Sequence, residues 1–132
     1  AFLKQAEQFK ENINIIENEN LVDKVANETG PYLKKRWKEF ENHPIVGEVR
    51  NVGMLGAIEL VENKGKRQFF PSSKKVGETC RDFCFKNNLI MRAINDTMVV
   101  SPPLTISTNQ IDEMFDLVKK CLDLTAEQFG KS

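Results

Sequence analysis

His43–Val61 read HPIVGEVRNVGMLGAIELV, and this stretch decides the fold. β-Branched and aliphatic residues fill Ile45–Val52 and again Met54–Val61, with Asn51-Val52-Gly53 at the join. Two short runs of this kind around a glycine predict antiparallel strands in a hairpin, with a bulge as the alternative geometry at the join. Asn42-His43-Pro44 stops whatever precedes, because a residue before proline avoids the helical region.

Outward from the hairpin the period changes. Upstream, Phe2, Ala6, Phe9, Ile13 and Ile16 recur at steps of three and four, the stripe of a helix. Glu19-Asn20 breaks it. A second helix begins near Leu21 and carries Val22, Val25, Thr29, Leu33, Trp37 and Phe40. Gly30-Pro31 predicts a kink or tight turn inside it, because proline has no backbone N–H to donate. Downstream, Glu62–Ser73 is polar and reads as a surface loop. Val76, Cys80, Phe83 and Cys84 mark a short helix that ends at Asn87-Asn88. Leu89–Ala93 and Thr97–Ser101 read as a second strand pair about the turn Asn95-Asp96, closed by Pro102-Pro103. Ser107 stands three before Gln110, the spacing of a capping box. Ile111, Met114, Phe115, Val118, Cys121 and Leu122 then form the last helix. The order is helix, helix, strand, strand, helix, strand, strand, helix. It predicts an α+β fold, a two-layer sandwich with a small, mostly antiparallel sheet and helices on one face. Residues 1–132 make one domain.

Charge narrows the function classes. Lys+Arg and Asp+Glu both total 19, so there is no basic excess of the kind a nucleic-acid or anionic-membrane binder carries. No apolar run approaches the roughly 20 residues that span a bilayer, and Ala1–Lys10 has no continuous apolar stretch of a signal peptide. Cys80, Cys84 and Cys121 are an odd number and read as buried thiols of a reducing compartment, so the expected location is cytoplasmic.

Few residues point to chemistry. Gly53 and Gly56 lie between strands, where no phosphate loop forms. His43 is the one histidine and reads as a solvent-exposed helix end. Metal binding would need ligands beyond the cysteines, so no metal site is expected. Glu17, Glu19 and Asp23 read as a solvated face, and Lys64 and Lys66 as surface lysines. Arg92 differs, because it interrupts the apolar run Leu89-Ile90-Met91-Arg92-Ala93. A guanidinium there needs a partner. The two readings are a salt bridge to an acidic residue such as Glu59 on a neighbouring strand, or a two-pronged contact with a ligand carboxylate.

His43–Val61, Asn88–Ala93, Asp96–Leu104 and the helix opened by Ser107 resemble, in that order, the C-terminal segment of class III aminotransferases, the ω-transaminase group. Ile15–Val22 resembles the approach to that family's small domain, and the likeness covers roughly residues 11–128. The resemblance implies the small domain of a fold-type I enzyme that works as a homodimer. It implies pyridoxal phosphate bound by a lysine upstream of this chain, an amine or ω-amino acid donor, and a 2-oxo acid acceptor such as pyruvate. It implies that Arg92 binds the substrate carboxylate. The catalytic lysine and the phosphate-binding residues have no counterpart here. No catalytic residue, no cofactor and no activity are therefore expected of this chain alone. The N-terminal helix, residues 1–19, departs from the family pattern over Ala1–Lys10. The alternative is a stand-alone small-carboxylate-binding or dimerisation module derived from the same domain.

Overall fold

The computed structural model describes residues 1–131. Helix α1, Phe2–Asn18, forms on the expected stripe but buries none of its residues. Phe2, Leu3, Phe9 and Ile13 are all more than half exposed. Asn20 turns the chain with φ 48°, a left-handed conformation that asparagine tolerates better than most side chains. Helix α2, Leu21–Lys24, runs through a π-helical turn, Val25–Thr29, into α3, Gly30–Lys38. The π-turn is the form taken by the irregularity expected at Gly30-Pro31. It admits one extra residue per turn, so Pro31 enters α3 at a position where its missing N–H leaves no gap. It also shifts the phase of the apolar stripe. Leu21 is buried and Val22 is 68% exposed, contrary to the expectation that Val22 faces the core. From the end of the turn onward Thr29, Leu33, Trp37 and Phe40 are buried as one face. Gly30 is required here, because a Cβ would come within 2.3 Å of the Val25 carbonyl oxygen.

Strands β1, Val46–Val52, and β2, Leu55–Leu60, form the expected hairpin. Val52 pairs with Leu55, which leaves Gly53-Met54 as a two-residue turn. Only Gly53 has positive φ, at 56°, matching a turn with glycine at its first central position. The register shifts between Val46 and Glu48, around Gly47. Helix α4 is Val76–Lys86, β3 is Arg92–Ile94, β4 is Thr97–Val100 and α5 is Thr108–Gln128. The capping box of α5 forms, with Gln110 N–H on Ser107 Oγ at 3.2 Å and Ser107 N–H on Gln110 Oε1 at 3.0 Å.

The sheet order is β1-β2-β4-β3, with every neighbour antiparallel. The strand expected over Leu89–Ala93 is corrected to Arg92–Ile94. Arg92 pairs with Val99, so continuing the register would set Leu89 opposite Pro102, which has no N–H to give. The Leu89 amide instead closes α4 by donating to the Cys84 carbonyl at 2.9 Å.

Alternation divides the sheet into two faces. Gly56, Ile58, Leu60, Met98 and Val100 are buried against the helices, where they join Leu33, Trp37, Val76, Cys80, Ile111, Val118 and Leu122 in one core. Trp37 packs on β2. Its Nε1–H donates to the Ala57 carbonyl at 3.3 Å. A Cβ at Gly56 would lie 2.7 Å from the indole. The opposite face carries Glu48, Arg50, Leu55, Glu59, Val99, Arg92 and Ile94, and no helix among the described residues covers it. The result is a small α+β domain with its helices on one side.

Candidate functional site

Arg92 opens β3, the last strand in the sheet, and points to the uncovered face, where it is exposed. The register lines up Arg92, Val99, Ala57 and Arg50 as one row across that face. Three strand spacings put the two arginines roughly 14 Å apart. Their electrostatics differ. Arg50 has Glu48 at 3.4 Å and Glu59 at 4.0 Å. Arg92 has neither an ion pair nor a side-chain hydrogen bond among the described residues, and the salt bridge to Glu59 does not form. Glu59 lies in the next row, with Thr97 as its partner on β4, and Arg50 reaches it first. The open face thus presents one paired arginine and one whose five donors remain available to a planar anion.

The position of Arg92 depends on the turn that follows it. Ile94 pairs with Thr97, so Asn95-Asp96 is a two-residue turn, with Asn95 at φ 51°. Asp96 Oδ1 accepts from the Gly77 amide at 2.9 Å, in the first turn of α4. Lys75, at the head of that helix, has no side-chain cap to offer, so Asp96 serves instead. The Asp96 carbonyl accepts from the Leu60 amide at 2.9 Å. Gly77 lies so close that a Cβ would come within 1.9 Å of the Asn95 carbonyl oxygen. Neither Asp96 nor Gly77 stands out in the sequence. The one local signal is a glycine in the first turn of a helix, where a better helix former is usual.

The other sequence candidates are held elsewhere. His43 is not the solvent-exposed helix end expected of it. Its side chain is 8% exposed, because the Pro44 turn folds it against α5. Its Nε2 lies 3.0 Å from Asp123 Oδ1, and Nδ1 accepts from the Ile45 amide at 3.4 Å. Those partners fix the neutral tautomer with the proton on Nε2. Burial pushes its pKa below the ordinary imidazole value and outweighs the upward pull of Asp123. Tyr32 donates to Asp112 at 2.8 Å, and that bond raises its phenol above the usual value. Cys80, Cys84 and Cys121 are free and buried between α4 and α5, as expected. Cys84 is raised by its hydrogen bond to Cys80, and burial raises Cys121, so both stay protonated and unreactive.

The described residues do not fit pyridoxal phosphate. Lys64 and Lys66 are exposed. Lys64 faces a cleft of about 600 Å³ with Arg67, but Glu48 and Glu59 line the same cleft and would repel a phosphate, and the Lys64 ammonium already donates to the Glu41 carbonyl. A second cleft of about 480 Å³ holds Lys75 beside Glu59, Glu78 and Asp96, with the same objection. Arg92 lines neither. No group of three or more His, Cys, Asp or Glu suited to a metal ion occurs among the described residues. No helix among them is long and apolar enough to cross a membrane.

Comparison with known proteins supplies the context for an arginine exposed on an uncovered sheet. Residues 5–122 match the family model of aminotransferase class-III. A putrescine–pyruvate aminotransferase of Pseudomonas aeruginosa is 56% identical over 116 residues, covering 88% of this chain and 25% of that protein. A diaminobutyrate–2-oxoglutarate transaminase of Halomonas elongata is 41% identical over 106 residues, covering 78% of this chain and 22% of that protein. The solved ω-transferase of Vibrio fluvialis JS17 superposes with a TM-score of 0.84 at 30% identity, over 89% of this chain and 28% of that one. A transaminase from directed evolution by ancestral reconstruction superposes with a TM-score of 0.85 at 41% identity, over 89% and 26%. The chain spans about a quarter of the length of these relatives. With its fold and its sequence in agreement, this chain belongs to the class III aminotransferase family.

Proposed function

We propose that this chain acts as the small domain of a longer class III aminotransferase. The enzyme moves an amino group from an amine or ω-amino acid to a 2-oxo acid such as pyruvate, and Arg92 binds the substrate carboxylate. The observation that carries the reading is the contrast between Arg50, paired with Glu48 and Glu59, and Arg92, exposed with no partner among the described residues. The name of the Pseudomonas aeruginosa relative adds an aliphatic diamine to the candidate donors and favours pyruvate as the acceptor.

Arg92 supplies two parallel N–H donors and a full charge, which suit a carboxylate better than any neutral group. Holding that end of the substrate fixes the distance from carboxylate to reacting carbon, so the rest of the molecule is oriented for transfer. Val99, its partner on β4, and Ile94, two residues along β3, share the face of Arg92, and a covering surface would exclude water and strengthen the pair. Pyridoxal phosphate, bound by the longer protein, supplies the electron sink. The isolated chain is inert on this reading. The exposed stripe of Phe2, Leu3, Phe9 and Ile13 on α1, with Val52 and Leu55 at the sheet rim, gives apolar surface for the rest of the protein and for a second subunit. Three free thiols are in keeping with a cytoplasmic setting.

The test compares two amino acceptors in the longer protein, pyruvate and an aliphatic aldehyde without a carboxylate. Arg92→Ala is expected to raise KM for pyruvate by roughly 10- to 100-fold, the worth of a charged hydrogen bond. The aldehyde is expected to change by less than about two-fold. Equal effects on both acceptors would remove carboxylate binding from Arg92.

A further inference from the structure

We infer that Asp96, locked to Gly77, is the positioning residue that sets Arg92 for carboxylate recognition; this rests on the role of Arg92 proposed above. β3 is three residues long and lies at the sheet edge, so among the described residues its only strand partner is β4. Such a strand has little of its own to fix the direction of a long side chain. Its far end, however, is clamped. The Asp96 carboxylate takes the Gly77 amide at 2.9 Å and the Asp96 carbonyl takes the Leu60 amide at 2.9 Å. The turn is therefore tied to helix α4 on one side and to the central strand β2 on the other. The fit is close enough that residue 77 has no room for a side chain, with the Asn95 carbonyl oxygen 1.9 Å from where a Cβ would stand.

Arg92 itself has no partner among the described residues. Its direction is inherited from β3, and β3 inherits its own from this clamp. The carboxylate of Asp96 meets a helix amide and not the substrate, so it acts through Arg92. The same bond caps α4, where a negative charge at the helix start is favourable. One interaction thus couples the packing of α4 to the aim of the substrate-binding arginine.

The clamp can be opened from either side. Asp96→Ala removes the acceptor. Gly77→Ala leaves the acceptor in place and pushes the turn away, although alanine is the better helix former. Both are expected to raise KM for pyruvate about ten-fold in the longer protein, the scale of effect that a small misplacement of a binding group produces. KM for the aliphatic aldehyde is expected to stay within about two-fold. Asp96→Asn keeps an acceptor oxygen at the same place and is expected to retain the wild-type ratio of the two acceptors. In an Arg92→Ala background, Asp96→Ala is expected to change that ratio no further, because residues that act in series are not additive.

Several outcomes overturn the inference: folded Asp96→Ala and Gly77→Ala proteins with an unchanged acceptor ratio, equal losses on both acceptors, or a further change of ratio in the Arg92→Ala background. If Asp96→Ala and Gly77→Ala do not fold, Asp96→Glu decides, because it keeps the charge but lengthens the side chain by one methylene. An unchanged ratio in that variant also overturns the inference. If Arg92→Ala alone leaves the ratio unchanged, the carboxylate reading of Arg92 fails, a result distinct from failure of the clamp.

Discussion

Gly56→Ala is a small change with a sign that the structure decides. Glycine in a strand interior is ordinarily a weakness, and alanine there would stabilise slightly through the unfolded chain. At residue 56 the added Cβ would stand 2.7 Å from Trp37 Cε2, 2.9 Å from Nε1 and 3.0 Å from Cζ2. The indole cannot retreat. Its ring meets Phe40 edge-on at 5.1 Å, and Phe40 in turn stacks on Phe115 at 4.3 Å. Its Nε1–H is committed to Ala57. Overpacking of a closed core costs about 1–3 kcal/mol. For 132 residues, at about 2.1 cal/mol/K per residue, that lowers Tm by roughly 4–11 °C. Calorimetry gives the magnitude, and the fluorescence of Trp37, the one tryptophan, reports whether the indole has moved. Trp37→Phe in the Gly56→Ala background is expected to cost less than Trp37→Phe alone, since the smaller ring relieves the clash. A Gly56→Ala protein as stable as the wild type, with unchanged emission, would refute the packing of α3 on β2.

Arg92→Ala in this chain is expected to shift stability by less than about 0.5 kcal/mol in urea unfolding, because an exposed side chain without partners contributes little. Ser107→Ala removes one half of the capping box and is expected to cost about 1 kcal/mol, read as a fall in the denaturation midpoint at constant slope. The pH profile of stability carries a sign set by His43. Its folded pKa is depressed by burial, so between that value and the unfolded value of about 6.5 the unfolded chain binds more protons. Stability is therefore full above about 6.5 and falls as pH drops through that window. Protonation would also displace the Ile45 amide from Nδ1 and act against the nearby Lys119 and Lys64 charges, offset in part by Asp123. His43→Gln is expected to flatten this part of the profile, measured by thermal melts from pH 5 to pH 8 as a range about the histidine pKa.

Local features were legible in the sequence and long-range ones were not. The β1–β2 hairpin follows from two β-branched and aliphatic runs joined at Asn51-Val52-Gly53, and the Ser107–Gln110 box from a three-residue spacing, because both are decided within a few residues. The final helix and the antiparallel order follow from pattern as well. The phase shift at Val25–Thr29 was not legible, since a π-turn leaves the same residues in the same order and only rotates them. Gly56 beneath Trp37, His43 on Asp123 and Gly77 beneath Asn95 join residues far apart in the chain, and nothing local marks them. The end of β3 at Arg92 depended on Pro102 as the would-be partner of Leu89. Arg92 was visible as a charge in an apolar run, and its face follows from two-residue alternation with Ile90 and Ile94. Its lack of a partner among the described residues required the register, which gives Glu59 to Arg50.

The central claim is that this domain works within a longer aminotransferase whose cofactor is bound outside it. The direct measurement is mass spectrometry of the intact native polypeptide and its peptides after borohydride reduction. The account predicts a chain longer than Ala1–Ser132, with a pyridoxyl group on one lysine outside it. A native chain ending at these bounds, or an adduct on a lysine within them such as Lys64, would contradict it.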